Sequence, residues 1–249
     1  MGLVKKLSLP SERVYRKKPC NQRHNDKHLF KREFVKKLPN SFPIVGKYSF
    51  IPPCGSLFNG IFLNLYQFNI GIRIKELFKS YLKSLFFLTK VRKITRLDNF
   101  LYVTNSNSNN FFHWYLDVMQ KLELINQSKN KISSSNLKII IPNGHEKSFS
   151  KKSLKAFDLN FYHQKKFEFI LSNNSIYVPD IAPTGNYRKA LILKLAKRMR
   201  KYWIGKKNIN SVKRRIYISR NNSNKRKLKN ENEIIPILKK NGFIIVDFD

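Results

Sequence analysis

The chain has 249 residues, with 50 Lys+Arg against 15 Asp+Glu, a formal charge of +35, and 41% hydrophobic and 13% aromatic residues. That apolar content builds a core and excludes a wholly disordered chain, and the length fits one large domain or two modest ones. The charge favours polyanions, but it is spread along the chain, and without a zinc finger, an RNP-type aromatic strand or a GxxG clamp a nucleic-acid reading rests on bulk charge alone.

Residues 1–26 are basic and polar, with Pro10 and Pro19, and read as a poorly ordered arm. The first six, Met1-Gly2-Leu3-Val4-Lys5-Lys6, hold no long apolar run, so no secretory signal is expected. Cys20 and Cys54 are too few for a disulfide framework or a Cys-based zinc site, which favours a reduced, cytoplasmic setting. Phe30, Phe34 and Leu38 at i, i+4, i+8 predict a short amphipathic helix stopped by Pro39-Asn40. The uncharged stretch between Lys47 and Arg73 is broken by Pro52, Pro53, Gly55 and Gly60, so turns and strands are expected there rather than a membrane span.

Residues 74–88 carry the strongest helical period. Ile74, Leu77, Phe78, Tyr81, Leu82, Leu85 and Phe86 share one face, and Lys75, Lys79 and Lys83 share another. A helix packed on the core is expected; the alternative is an interfacial helix on anionic lipid. Leu101-Tyr102-Val103 predicts a strand, and the Asn/Ser run over 105–110 supplies N-caps for a helix from Phe111 to Asn126. Further on come a strand over 137–141, a helix near 150–159, strands near 167–171 and 175–178, and a Pro-rich loop. A long basic helix over 187–204 is closed by Gly205. The last stretch reads as a βαβ unit: strand 215–218, basic loop, helix from Asn230 to Gly242, strand 243–246. One such unit cannot cover both faces of its own sheet, so more structure is expected after Asp249.

Two clusters can carry chemistry. His113 and Asp117 are four apart and share a helix face, where an imidazole beside a carboxylate can take a hydroxyl proton. By spacing alone, an ordinary capped helix with solvated side chains is the favoured reading. The second cluster, Ser219-Arg220 to Asn230-Glu231, follows a strand and precedes a helix. There Arg220 and Arg226 can fork onto phosphate oxygens, and a solvated basic loop with an Asn cap fits the residues equally. No third ligand has useful spacing for a metal.

Taken together, these segments resemble glycosyltransferase family 61, the capsular polysaccharide biosynthesis type. The resemblance rests on Asn110-Phe111-Phe112-His113-Trp114-Tyr115-Leu116-Asp117, on the strand and Pro/Thr/Gly loop over 175–185, and on Ser219-Arg220 followed by Arg226-Lys227-Leu228-Lys229-Asn230-Glu231. It covers about residues 95–249. It implies an α/β fold of two Rossmann-like domains (GT-B type): an acceptor-side domain over 27–205 and a nucleotide-sugar-binding domain beginning at 206 and left incomplete. It further implies an inverting, nucleotide-sugar-dependent and metal-free transfer at the cytoplasmic side, with a glycan acceptor and no cofactor. Asp117 then stands as base with His113 as helper, Asn110 and Trp114 lie on the acceptor side, and Arg220, Arg226, Asn230 and Glu231 bind the donor. The family's Pro-Arg pair after the Asp is replaced by Gln120-Lys121, which keeps a charge without the fork. A His-Gly-Ala-Gly-type segment of the family has no counterpart before Asp249. The expectation is therefore a truncated chain with little activity of its own. The alternative is a basic nucleic-acid-binding or membrane-surface protein without catalysis, with lipid contact through 74–88.

Overall fold

The structure, a computed structural model, describes residues 7–17, 25, 35–54, 56–59, 62–63, 74–105, 107–128, 137–182, 186–205, 215–221 and 227–247. The chain divides into two compact units, Met1–Trp203 and Ile204–Asp249.

The first unit begins with a small antiparallel pair, β1 (Glu12–Tyr15) against β2 (Val35–Leu38), extended by a bridge between Leu9 and Ser41. This corrects two expectations. Leu38 lies in a strand rather than a helix, because residues 35–38 find backbone partners residue for residue in 12–15; Phe30 and Phe34 lie outside the described residues. Residues 7–15 are fastened to the body. Leu7 is fully buried, and the Arg188 guanidinium donates to the carbonyls of Pro10 (2.6 Å), Pro39 (2.6 Å) and Ile181 (2.9 Å). A buried guanidinium needs such acceptors, and here they sew the N-terminal strands to the rest of the unit.

The main sheet contains seven strands: β3 (Ile44–Ile51), β4 (Phe58–Asn59), β5 (Phe62–Leu63), β6 (Lys93–Tyr102), β7 (Lys138–Ile141), β8 (Phe161–His163) and β9 (Glu168–Tyr177). Their order is β5-β4-β3-β9-β6-β7-β8. β6, β7, β8 and β9 run parallel, whereas β3 is antiparallel to β9. The sheet is therefore mixed and the unit is α/β. The uncharged stretch after Lys47 forms the end of β3, then β4 and β5, and no helix among the described residues is long and apolar enough to cross a membrane.

Period-two alternation explains the two cores. Leu101 and Val103, with Ile139 and Ile141, face a helical layer; Phe100 and Tyr102, with Ile140, cluster with Ile51 and Ile170 of the same sheet and with Leu57. The helical layer includes Trp114, Val118, Met119, Leu122 and Ile125, together with Leu191 and Leu195 of the long helix Lys189–Ile204. Gly205, at φ +66°, ends that helix in the left-handed conformation that a side chain resists.

Helix α1 (Ile74–Leu88) precedes β6. Instead of packing its apolar face on the core, it leaves Phe78, Leu82, Leu85 and Phe86 exposed, and buries Ser84.

The second unit contains β10 (Arg215–Ser219) parallel to β11 (Phe243–Asp247), joined by a helix over Glu231–Lys240. Ile216 pairs across from Ile244, and these two together with Ile218 are exposed on one sheet face.

Candidate active site

The register of two parallel strands builds the first site. Tyr102 of β6 lies opposite Tyr177 of β9, and the chain leaves both strands at the same edge, with the Val178 N–H donating to the Tyr102 carbonyl (3.0 Å). Three residues beyond each strand end stand Asn105 and Asp180. The Asn105 amide donates to both Asp180 carboxylate oxygens at 3.1 Å. Ligands of open α/β sheets collect at the carboxyl ends of parallel strands, and this is such an edge.

The Asn105 side chain also accepts from the Ser108 hydroxyl (2.9 Å) and the Asn107 N–H (3.0 Å), a turn that sets up the next helix. Asn110 then caps helix α2 (Phe111–His113), its side chain accepting from the Phe112 N–H at 2.9 Å. The helix widens at once into a π-turn, Trp114–Val118, before resuming as α3 (Met119–Asn126). Such turns insert an extra residue and re-aim side chains, often at functional sites. Here the π-turn buries Trp114, Asp117 and Val118 together.

His113 Nδ1 lies 2.9 Å from Asp117 Oδ2. The two differ in access: the Asp117 side chain is 3% exposed and the His113 side chain 18%. Burial raises the Asp117 carboxyl above its ordinary value, the His113 hydrogen bond pulls it back, Asp180 raises it again, and Lys121 lowers it. The net direction is upward.

Lys121 completes the cluster. It is fully buried, donating to Asp180 Oδ1 (2.7 Å) and the Val103 carbonyl (3.0 Å), with the Tyr177 ring 5.7 Å away. Its ammonium is held inside the unit against the Asp180 carboxylate. The neighbouring Gln120 accepts from the Arg188 N–H at 2.8 Å and so fixes α3 to the start of the long helix.

Asp180 and Asn105 carried no sequence signal beyond turn residues after a strand. Their importance depends on the β6–β9 register, which the sequence does not print. Trp114, expected on the acceptor side, is fully buried and donates to the Ser153 hydroxyl at 2.8 Å; it supports the site from beneath and is not presented to a ligand. A cleft of about 450 Å³ lined by Glu146, Phe157, Phe161 and His163 takes in neither His113 nor Asp117. Among the described residues no three His, Cys, Asp or Glu side chains group as metal ligands.

The second unit holds the other expected residues. Arg220 is exposed, and its N–H donates to Glu231 Oε1 at 3.2 Å. Glu231 is buried; burial pushes its carboxyl up, but hydrogen bonds from the Arg220 N–H, Tyr217 and Ser219 prevail, and it sits below its ordinary value. It therefore ties the end of β10 to the start of the helix. Asn230 occupies the cap position without a side-chain capping bond, a correction to the expected Asn cap. Arg226 lies outside the described residues.

No curated protein and no solved structure shows a significant match to the chain. The family model described as Glycosyltransferase 61 matches residues 111–249, from the first residue of α2 through the His113–Asp117 pair, the Lys121–Asp180 pair and the whole β10–helix–β11 unit. That match spans more than half of the 249 residues, and the chain belongs to the glycosyltransferase 61 family.

Proposed function

We propose that this glycosyltransferase is an inverting, metal-independent enzyme that draws on a nucleotide sugar and works at the cytoplasmic side in surface or capsular polysaccharide synthesis. The observation that carries the catalytic reading is the His113–Asp117 contact, held on a π-turn at the carboxyl edge of parallel strands inside the family-matching segment.

In this reading the acceptor hydroxyl gives its proton to His113 Nε2, the more accessible member of the pair. Asp117 holds Nδ1–H, fixes the tautomer and stabilises the imidazolium that forms. The hydroxyl oxygen bonds to the anomeric carbon on the face opposite the diphosphate. The bond from that carbon to the diphosphate oxygen breaks, and its electron pair leaves with the nucleoside diphosphate. Arg220 and Arg226 are the residues proposed to bind the donor's diphosphate. Asn230 and Glu231 shape the loop that binds the donor, and Asn110 sets the helix end on the acceptor side. The pair thus exchanges the roles that the resemblance implies: His113, the less buried of the two, is the base, and Asp117 positions it.

The test is an assay with a panel of nucleotide sugars, with the anomeric configuration of the product read by NMR. Inversion at an undiminished rate in the presence of a chelator is expected. Retention of configuration, or loss of the reaction with the chelator, contradicts the reading. Nucleoside diphosphate should also protect residues 219–231 from proteolysis, and Arg220→Ala or Arg226→Ala should remove the protection.

A further inference from the structure

Helix α1 has three sides with three characters. One side is pinned: the buried Ser84 hydroxyl lies 3.1 Å from Cys54 Sγ, and the Tyr81 ring is 6.0 Å from that of Phe58. The second is apolar and open to solvent, with Phe78 63%, Leu82 49% and Phe86 57% exposed and Leu85 between them. At about 100° per residue these four fall within one arc of the helix. The third is basic. Lys83 lies over the Phe87 ring at 6.0 Å, and just past the helix end Lys90 lies over Phe86 of the apolar arc at 4.3 Å, with Arg92 two residues further on over Phe167 at 5.0 Å, so cations border the arc at its C-terminal end. From Phe78 to Leu97 the sequence has no Asp or Glu.

An apolar strip edged by cations needs a partner with hydrocarbon and negative charge side by side. We propose that α1 docks on the surface of an anionic phospholipid bilayer, lying in the headgroup region with Phe78, Leu82, Leu85 and Phe86 reaching the acyl boundary and Lys83, Lys90 and Arg92 on the phosphates. Charge decides against a second copy, because docking two such faces brings like charges together on a chain of formal charge +35. Leu82 and Leu85 decide against a nucleic-acid strand, which stacks on rings and gains little from aliphatic side chains. The proposal stands independently of the catalytic reading.

The experiment is co-sedimentation of the full chain with vesicles of phosphatidylglycerol and phosphatidylcholine, and with phosphatidylcholine alone, at about 0.15 M ionic strength. The wild type should partition onto the phosphatidylglycerol vesicles. The exposed pair Leu82→Ser/Leu85→Ser, which leaves net charge unchanged, should lower that partitioning about tenfold or more. Lys83→Glu/Lys90→Glu should remove the preference for phosphatidylglycerol. Tyr202→Ser/Trp203→Ser, equally exposed on the long helix, should change nothing. Circular dichroism confirms that each variant folds. Equal partitioning of the wild type and the leucine variant overturns the proposal, as does equal loss in the Tyr202/Trp203 control. A wild-type dimer that the leucine variant dissolves, or a single-stranded oligonucleotide whose binding depends on Leu82 and Leu85, assigns the face to another occupant and overturns it too.

Discussion

The two units handle their polar groups differently. In the sheet unit the central strands are covered on both faces, and the site charges are buried with partners in place: Lys121 on Asp180, Asp117 on His113, Asn105 bracing Asp180. Among the described residues of the smaller unit one helix serves two strands, Ile216, Ile218 and Ile244 are exposed, and of Arg220, Asn230 and Glu231 only Glu231 is buried. The first unit holds its chemical groups in fixed positions before any ligand arrives; the second presents cations at the surface. A group that must hold a proton-transfer geometry benefits from the first arrangement. Groups that meet a diphosphate can be ordered by it, at some cost in affinity.

The sharpest way to break that contrast is to remove the partner of the buried ammonium. Asp180→Asn leaves Lys121 charged and uncompensated, and should cost about 4 kcal/mol of unfolding free energy in the sheet unit. Denaturant titration checks this, and an unchanged midpoint would mean that Lys121 is not held as described. Next, Ile139→Ala in the fully buried centre of β7 should cost about 3 kcal/mol, whereas Ile216→Ala on the open face of β10 should change stability by less than about 0.5 kcal/mol. A large effect at Ile216 would show that this face is covered in solution. Third, Arg220→Ala should weaken nucleoside diphosphate binding by about 2 kcal/mol, roughly thirtyfold in Kd, without altering the melting of the sheet unit. Calorimetric titration decides it.

A further expected effect concerns pH. His145 is pushed down from 6.5 to about 4, chiefly by burial and then by the positive charges of Lys147 and Lys83. A neutral native histidine means that the unfolded chain binds more protons below pH 6.5. Its contribution to stability is full above that value and lost as the pH falls toward 4. His145→Asn should flatten this part of the stability profile in thermal melts at stepped pH.

Local features of the fold were legible where a residue type has one local use. Asn110 caps its helix, Gly205 ends the long helix, and the alternation of β6 and β7 sets their faces. Features that depend on pairing were not. Ser172-Asn173-Asn174 look like a turn between two strands, yet they lie inside β9, because β3 and β6 supply backbone partners on both sides and override the residues' own preference. The strand containing Leu38 was hidden for the same reason. At the site, the i, i+4 spacing of His113 and Asp117 was readable and the structure joins them. The burial of Lys121 and the approach of Asp180 were not, since both depend on strands 75 residues apart in sequence coming into register. The exposed face of α1 was misjudged because periodicity reports that a helix has an apolar side, not which side the protein covers.

The central claim is that His113 and Asp117 act as one unit in proton removal. Single-turnover rates of His113→Gln, Asp117→Asn and the double variant, at saturating nucleotide sugar, test it most directly. Each single change should slow sugar transfer by about 10²–10⁴-fold, and the double variant should be no slower than the worse single one, with donor affinity unchanged throughout. Effects that multiply in the double variant, or an Asp117→Asn protein that transfers at the wild-type rate, would contradict the account.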